Sequence, residues 1–345
     1  MSFAATARAD RSLVETLGDY DFNRQRPVSS QPAAPFKQWI HTTMCHPEIA
    51  LVLNLSSIHG GAAAQHRMTA IVYTDRGVTG NVRLFAPREC RVPVGRATVV
   101  FGPNRMRRLG ADYEVDIYEP ALDLRATLTL RAATQASTIQ GLRVASEGRL
   151  AWTVVPRLVA SGTIQYAGRV HAIDRAPAYR DRNWGSFAFG ELSWDWGYVT
   201  EAGDGRRTVV FARFLDRARD RILGQNVLVW TGRQLAAAYR DREVAFTGRG
   251  TLTGHAETIP PALALCAPGE ASDAPHDLRV DARSSRGQLR IDFERRATAR
   301  ILVPNDARAG VSAIYEGLGS CTVAGEVEGD RIDFTGHGFL ESLHA

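Results

Sequence analysis

The densest chemistry in the chain lies in Tyr179-Arg180-Asp181-Arg182-Asn183-Trp184-Gly185, followed by Trp194-Asp195-Trp196-Gly197. Trp184, Trp194 and Trp196 are three of the six tryptophans and fall within thirteen residues. Rings of this size bring apolar contact area, while Trp N–H and Tyr O–H groups need partners once buried. Mixed with Asp and Asn, they suit a hydrogen-bonded plug that fixes a fold, or the wall of an apolar pocket with a few placed polar groups. In an extended strand Tyr179, Asp181 and Asn183 share one face, and Arg180 and Arg182 point to the other. A carboxyl in an apolar pocket holds its proton to higher pH and can act as a general acid, which makes Asp181 the first catalytic candidate, with Tyr179 beside it. Paired with an arginine instead, Asp181 would serve structure. The arginine face suits a substrate carboxylate or enolate, because guanidinium grips such oxygens with two hydrogen bonds.

Glu341 offers a second acid or an arginine partner. Trp39, Trp184, Trp194 and Trp196 are candidate pocket walls whose ring faces stabilise cationic character, with plain barrel core as the alternative. Other site chemistries lack their patterns. Gly336-His337-Gly338 has no third glycine and no following helix, and His59-Gly60-Gly61 has no Lys-Ser/Thr after it, so neither reads as a nucleotide site. His41 and His46 stand near Cys45, but no second cysteine lies at zinc spacing, so no metal site is expected. There is no G-x-S-x-G nucleophile turn, and no cofactor is expected.

The elements that must hold these residues read as strands. Tyr113, Val115 and Ile117 alternate with polar neighbours, as do Leu122, Leu124, Ala126, Leu128 and Leu130. Turn residues punctuate the chain at short intervals, as in Asp75-Arg76-Gly77, Gly102-Pro103-Asn104 and Glu201-Ala202-Gly203-Asp204-Gly205. Gly162 to Ile173 reads as one strand. The body of the chain shows no long helical period, which disfavours a parallel α/β fold. Some sixteen strands exceed one small barrel. The expectation is an all-β chain of two tandem antiparallel barrels or sandwiches. An N-terminal arm would occupy 1–35, with a helical turn at 11–17, and the two domains 36–187 and 188–345, meeting near the tryptophan-rich stretch.

Composition narrows the partners. The net charge is +5, yet Lys37 is the only lysine and the arginines are interleaved with acids, as in Arg240-Asp241-Arg242-Glu243. Interspersed charge is a solvated surface and no nucleic-acid partner is expected. Four scattered cysteines give no disulfide framework. Residues 1–10 carry no apolar signal region, and the apolar run 49–55 is too short to span a bilayer, so a soluble, cytoplasmic protein without stable membrane insertion is expected. Nothing in the sequence sets an oligomeric state.

The central stretch resembles the carotenoid 1,2-hydratase and AttH-like family, whose hallmark is roughly Y-x-D-H-N-W-G followed by W-x-W. Phe36-Lys37-Gln38-Trp39 resembles the family's N-terminal E-W-W segment. Tyr315-Glu316-Gly317 and Gly336-His337-Gly338-Phe339-Leu340-Glu341 are similar to its C-terminal Y-E-G and G-x-G-[YF]-L-E. The resemblance spans about residues 36–341 in order. It implies a tandem lipocalin-like fold, shared with fungal Diels–Alderases, and an elongated pocket for an apolar, conjugated small molecule. It also implies Tyr315, with Trp39, Asn183, Trp184, Trp194 and Trp196, as substrate contacts. Two departures matter. Arg182 stands where the hydratases carry His, and Phe211-Ala212-Arg213 stands where they carry Y-x-D with its proton-donating Asp. Arginine stays protonated and cannot cycle as an acid, so Phe211 and Arg213 are expected to contact substrate rather than protonate it. A cyclase, isomerase or Diels–Alderase-like activity thus stands ahead of carotenoid hydration, with a carrier of an apolar ligand as the non-catalytic alternative.

Overall fold

The computed structural model describes residues 35–60, 63–91, 98–144, 148–203, 205–265, 274–305 and 310–344. The expected arm and its helical turn at 11–17 lie outside the described residues.

Two antiparallel sheets account for nearly everything described. The first runs β4(Gly77–Phe85), β3(Ala63–Thr74), β2(Ala50–Gly60), β1(Phe36–Cys45), β12(Arg169–Ser186), β11(Gly148–Tyr166), β9(Leu124–Ala132), β8(Asp112–Glu119), β7(Asn104–Leu109), β6(Thr98–Phe101), β5(Cys90–Arg91). Strand β10(Ser137–Val144) pairs with β11 off this path. The second runs β16(Gln234–Arg240), β15(Ile222–Thr231), β14(Arg207–Asp216), β13(Leu192–Glu201), β22(Asp330–His344), β21(Val311–Val327), β20(Gly287–Pro304), β19(Asp277–Ser284), β17(Val244–Arg249), with β18(Glu257–Ile259) beside β20. The plan repeats. In each half four strands meander outward, and the half's last strand returns to pair with its first, β12 on β1 and β22 on β13. The fold is all-β and tandem lipocalin-like, and among the described residues no helix is long and apolar enough to cross a membrane.

Period-2 alternation sorts the side chains into three cores. Inward residues such as Ile40, Leu53, Val115 and Leu128 fill the first barrel. Val199, Phe211, Val280 and Phe293 fill the second. The outward faces of β1, β2, β3, β11 and β12 pack on those of β13, β14, β20 and β22 in a third core that holds Trp152, Tyr179, Trp194, Trp196, Tyr198 and Phe339. Strand β12 is therefore buried on both faces from Ala178 to Ser186, which explains why its polar residues sit among rings on either side. Hydrogen bonds cross the junction: Tyr73 O–H donates to the Glu316 carbonyl (2.7 Å), and the Thr43 and Tyr198 hydroxyls pair at 2.6 Å. Close backbone approach explains Gly336 and Gly338. A Cβ there would lie 2.1 Å from the Thr200 carbonyl oxygen and 1.8 Å from that of Tyr198, so only glycine lets β22 reach β13.

The expected strand over 162–173 is corrected. β11 ends at Tyr166 and β12 starts at Arg169, with Ala167 (φ 49°) and Gly168 (φ 75°) making the turn between them. Two consecutive positive φ values twist a two-residue hairpin the way the flanking strands need, and Ala in the first of them carries no sequence signal.

Candidate active site

A cleft with about 600 Å³ of non-atom space, part of it open to solvent, lies where the two halves meet. Strand β1 lines it with Lys37, Trp39 and His41, which share one face at spacing two. Strands β2 and β3 add Asn54, Ser56, Arg67 and Thr69, and the connection between the sheets adds Phe189. The second half contributes Trp194 from β13, Ile301 from β20, Ile314 and Glu316 from β21, and Glu341 from β22. Trp39 and Trp194 stack with centroids 6.2 Å apart and planes 15° apart, closing an aromatic wall from both halves.

At its inner end the cleft has two carboxyl groups. Glu316 and Glu341 are register partners on neighbouring strands, so their side chains leave the same face of the sheet. Glu316 is 1% exposed and Glu341 is half-buried. Their side chains are hydrogen-bond neighbours, which requires that one keep a proton, because ionised carboxylates only accept. Burial, and then the Glu341 charge, hold the Glu316 carboxyl well above the usual carboxylate range. Burial also raises Glu341, opposed by its hydrogen bonds to Glu316 and Trp194 and by the Arg295 charge. Trp194 Nε1–H donates to Glu341 Oε1 at 2.5 Å. His41 Nε2 lies 3.6 Å from Glu316 Oε1, and burial pulls the imidazole down to about 3, so it is neutral. Trp196 covers His41 edge-on at 5.4 Å.

Behind the pair stands Arg295, 2% exposed, whose Nη2–H donates to Ser342 Oγ at 2.8 Å. Gly317 makes room for it, since a Cβ there would lie 2.8 Å from Arg295 Cδ. The segment Tyr315-Glu316-Gly317 thereby acquires a physical meaning: the carboxyl faces the cleft, and the glycine admits a cation behind it.

Asp181 forms a hub beside the cleft and does not line it. Tyr179 O–H (2.8 Å) and Trp152 Nε1–H (3.1 Å) donate to Oδ2, and Asn183 Nδ2–H donates to Oδ1 (2.9 Å). Burial pushes its carboxyl up to about 7, against the hydrogen bonds from Tyr179 and Trp152. Its register partner on β1 is His41. Tyr179 stacks on Tyr198 at 4.5 Å, and burial raises its hydroxyl.

The structure brings together Trp39, Trp194 and Glu341 at the cleft, with Asp181, Tyr179, Asn183 and Trp196 packed next to it. Four expected contacts lie elsewhere. Trp184 points the opposite way on β12, against Phe36 and Ala151, with the Arg182 guanidinium 5.0 Å from its ring. Phe211 is core of the second barrel. Arg213 faces Phe246 and bonds to Asp195 (2.6 Å), which also takes Arg219 (2.5 Å). Tyr315 packs with Leu252 and Ala274. In each case alternation is the reason: the residue is on the far face of its strand. The arginine face of β12 likewise turns into the first barrel, where Arg180 lies 4.4 Å from the Tyr113 ring centroid and Arg182 donates to Gln38.

Sequence reasoning missed His41, Glu316, Trp152 and Arg295. His41 follows Trp39 by two on one strand, so period alone places both on one face. Glu316 stands one residue from Tyr315, and the choice between them was a choice of face. Nothing in the sequence announces Trp152 or Arg295, which meet their partners across 29 and 47 residues.

No protein-family model matches the chain, and no curated protein matches its sequence. Solved structures do match in fold. An AttH candidate of Nitrosomonas europaea superposes with a TM-score of 0.64 at 12% identity, over 92% of this chain and 97% of that one. Kievitone hydratase of Nectria haematococca does so at 0.59 and 16%, over 94% and 97%. The protein CghA, solved with Sch210972, does so at 0.60 and 14%, over 94% and 96%. The chain has their fold over nearly its whole length.

Proposed function

We propose that the protein is an enzyme that needs no cofactor and acts on an apolar, unsaturated small molecule of polyene, polyketide or terpenoid type, protonating a C=C bond held in the cleft between the barrels. The observation that carries this reading is the buried carboxyl pair, Glu316 and Glu341, set at the inner end of a tryptophan-walled cleft. Two carboxylates side by side in a poorly solvated site cannot both ionise, so the pair retains a proton near neutral pH. Glu341, the more exposed member, presents it to the substrate. The proton adds to one alkene carbon and positive charge develops on the other, where the faces of Trp39 and Trp194 lower its energy. Attack by a second double bond of the same molecule closes a ring and moves the positive charge to another carbon, and loss of a neighbouring proton to the pair completes the cyclisation; without ring closure the same proton loss completes an isomerisation. In this reading Asp181, Tyr179 and Asn183 position His41 and the aromatic wall, and the cleft supplies a folded near-attack conformation.

Water addition is a second reading. It is favoured by the polar side of the cleft, where Asn54, Ser56, Ser57 and Thr69 offer hydroxyl and amide groups that suit a held water. The kievitone hydratase likeness is consistent with it as a matter of fold. Infrared spectroscopy of glutamate-labelled protein tests the shared premise. A carboxylic-acid band is expected at neutral pH that disappears when Glu316→Gln and Glu341→Gln are combined; its absence from the wild type would remove the acid.

A further inference from the structure

We propose that His41, Glu316 and Glu341 form a binding site for one divalent first-row transition-metal cation. The three residues come from β1, β21 and β22, and one donor atom of each lies within 4.8 Å of the others. Two features show a site rather than a chance meeting of acids. His41 Nε2 has no hydrogen-bond partner although the side chain is only 4% exposed, and the Glu316 Oε1 it faces has none either. A buried imidazole nitrogen and a buried carboxylate oxygen left unpaired at 3.6 Å are costly unless something sits between them. Ligand atoms around a tetrahedral cation with bonds of about 2.0–2.1 Å stand roughly 3.3–3.4 Å apart, so small side-chain rotations close the trio.

The donor set is one imidazole and two carboxylates, which suits zinc, cobalt, manganese or ferrous ions over the softer thiolate-seeking ones. Its surroundings complete it. Trp194 N–H already holds Glu341 in place, and Tyr73 O–H holds the backbone of Glu316. All three ligands line the cleft, so a remaining coordination position opens toward it. Binding forms one metal–nitrogen and two metal–oxygen bonds and sends the proton of the pair to solvent. This inference goes beyond the acid reading and rests only on the geometry of the trio.

The test is calorimetric titration of chelator-treated full-length protein with zinc chloride, paired with cobalt(II) absorption. One zinc per chain is expected, with affinity reduced at least tenfold in His41→Ala and in Glu316→Gln, and the cobalt ligand-field bands lost with it. His255 and His276, whose rings lie 5.9 Å apart near Asp277, form a more exposed alternative. His276→Ala is expected to leave the isotherm unchanged. No stoichiometric binding in the wild type, the same isotherm in His41→Ala, or loss of binding in His276→Ala would each overturn the proposal. Should His41→Ala fail to fold, Glu341→Gln serves in its place. Absence of zinc binding by the wild type leaves its carboxylic-acid band in place, and absence of that band from the wild type leaves its zinc isotherm to be measured on its own, so the two readings fail separately.

Discussion

Asp181→Asn separates the hub's contribution to stability from any role in chemistry. The Asp181 carboxyl is held up from 3.8 to about 7, with burial as the main cause. Roughly three pH units at about 1.4 kcal/mol each correspond to about 4 kcal/mol of pH-linked stability. The sign follows from proton counts. Above about pH 4 the unfolded chain has lost this proton, while the folded chain keeps it up to about pH 7. The folded state binds more protons in that window, so stability falls as pH rises from about 4 to about 7 and is level above. The asparagine variant keeps an acceptor oxygen for Trp152 and Tyr179, and Asn183 can turn its amide to match it. It has no proton to lose. Urea unfolding of both proteins, followed by tryptophan fluorescence between pH 4.5 and 7.5, should show the wild type's advantage shrinking by about 2–4 kcal/mol as pH rises. A difference that stays constant across this range, or widens with pH, would refute the assignment of a buried, proton-holding Asp181.

Further outcomes follow from single contacts. Gly317→Ala should cost about 1–3 kcal/mol in chemical denaturation, because the new methyl meets Arg295 Cδ at 2.8 Å inside a packed barrel. Trimming the neighbour in Arg295→Ala together with Gly317→Ala should cost less than the two losses added. Tyr198→Phe leaves the buried Thr43 hydroxyl without its 2.6 Å partner across the junction, and should cost about 1–3 kcal/mol by thermal unfolding. Adding Thr43→Val to it should restore part of that loss, since a missing pair is cheaper than a half-pair.

The fold was legible because its signal is local. The buried pattern of β9, with Leu124, Ala126, Leu128 and Leu130 inside and their neighbours out, is readable residue by residue. The hairpin between β13 and β14 was equally plain from its glycine and acid-rich turn. Long strands were not. β20 and β21 run 18 and 17 residues with a register shift between Arg295 and Ala297, whereas the sequence alone reads as separate short strands at 288–294, 300–303, 312–315 and 321–327. The site was half legible for a related reason. Trp39, Trp194 and Glu341 were identified by residue type, but their assembly depends on which strand faces meet across the junction. Period alone put Tyr179, Asp181 and Asn183 on one face of β12 and Arg180 and Arg182 on the other, but both faces are buried and mix polar with aromatic residues, so composition did not say which face meets the junction. His41 lies hundreds of residues before Glu316 and Glu341, and only pairing of β21 with β22, and packing of β1 on them, brings the three together.

The most direct test of the central claim uses the protein's own ligand. Protein isolated from its producing organism is analysed by native mass spectrometry, and the released ligand is incubated with fresh protein in deuterium oxide. The account predicts a product carrying deuterium on carbon, with that conversion lost in Glu341→Gln while binding persists. A ligand that binds and returns chemically unchanged would make the protein a carrier, and one that returns changed without deuterium would contradict proton transfer as the step performed in the cleft.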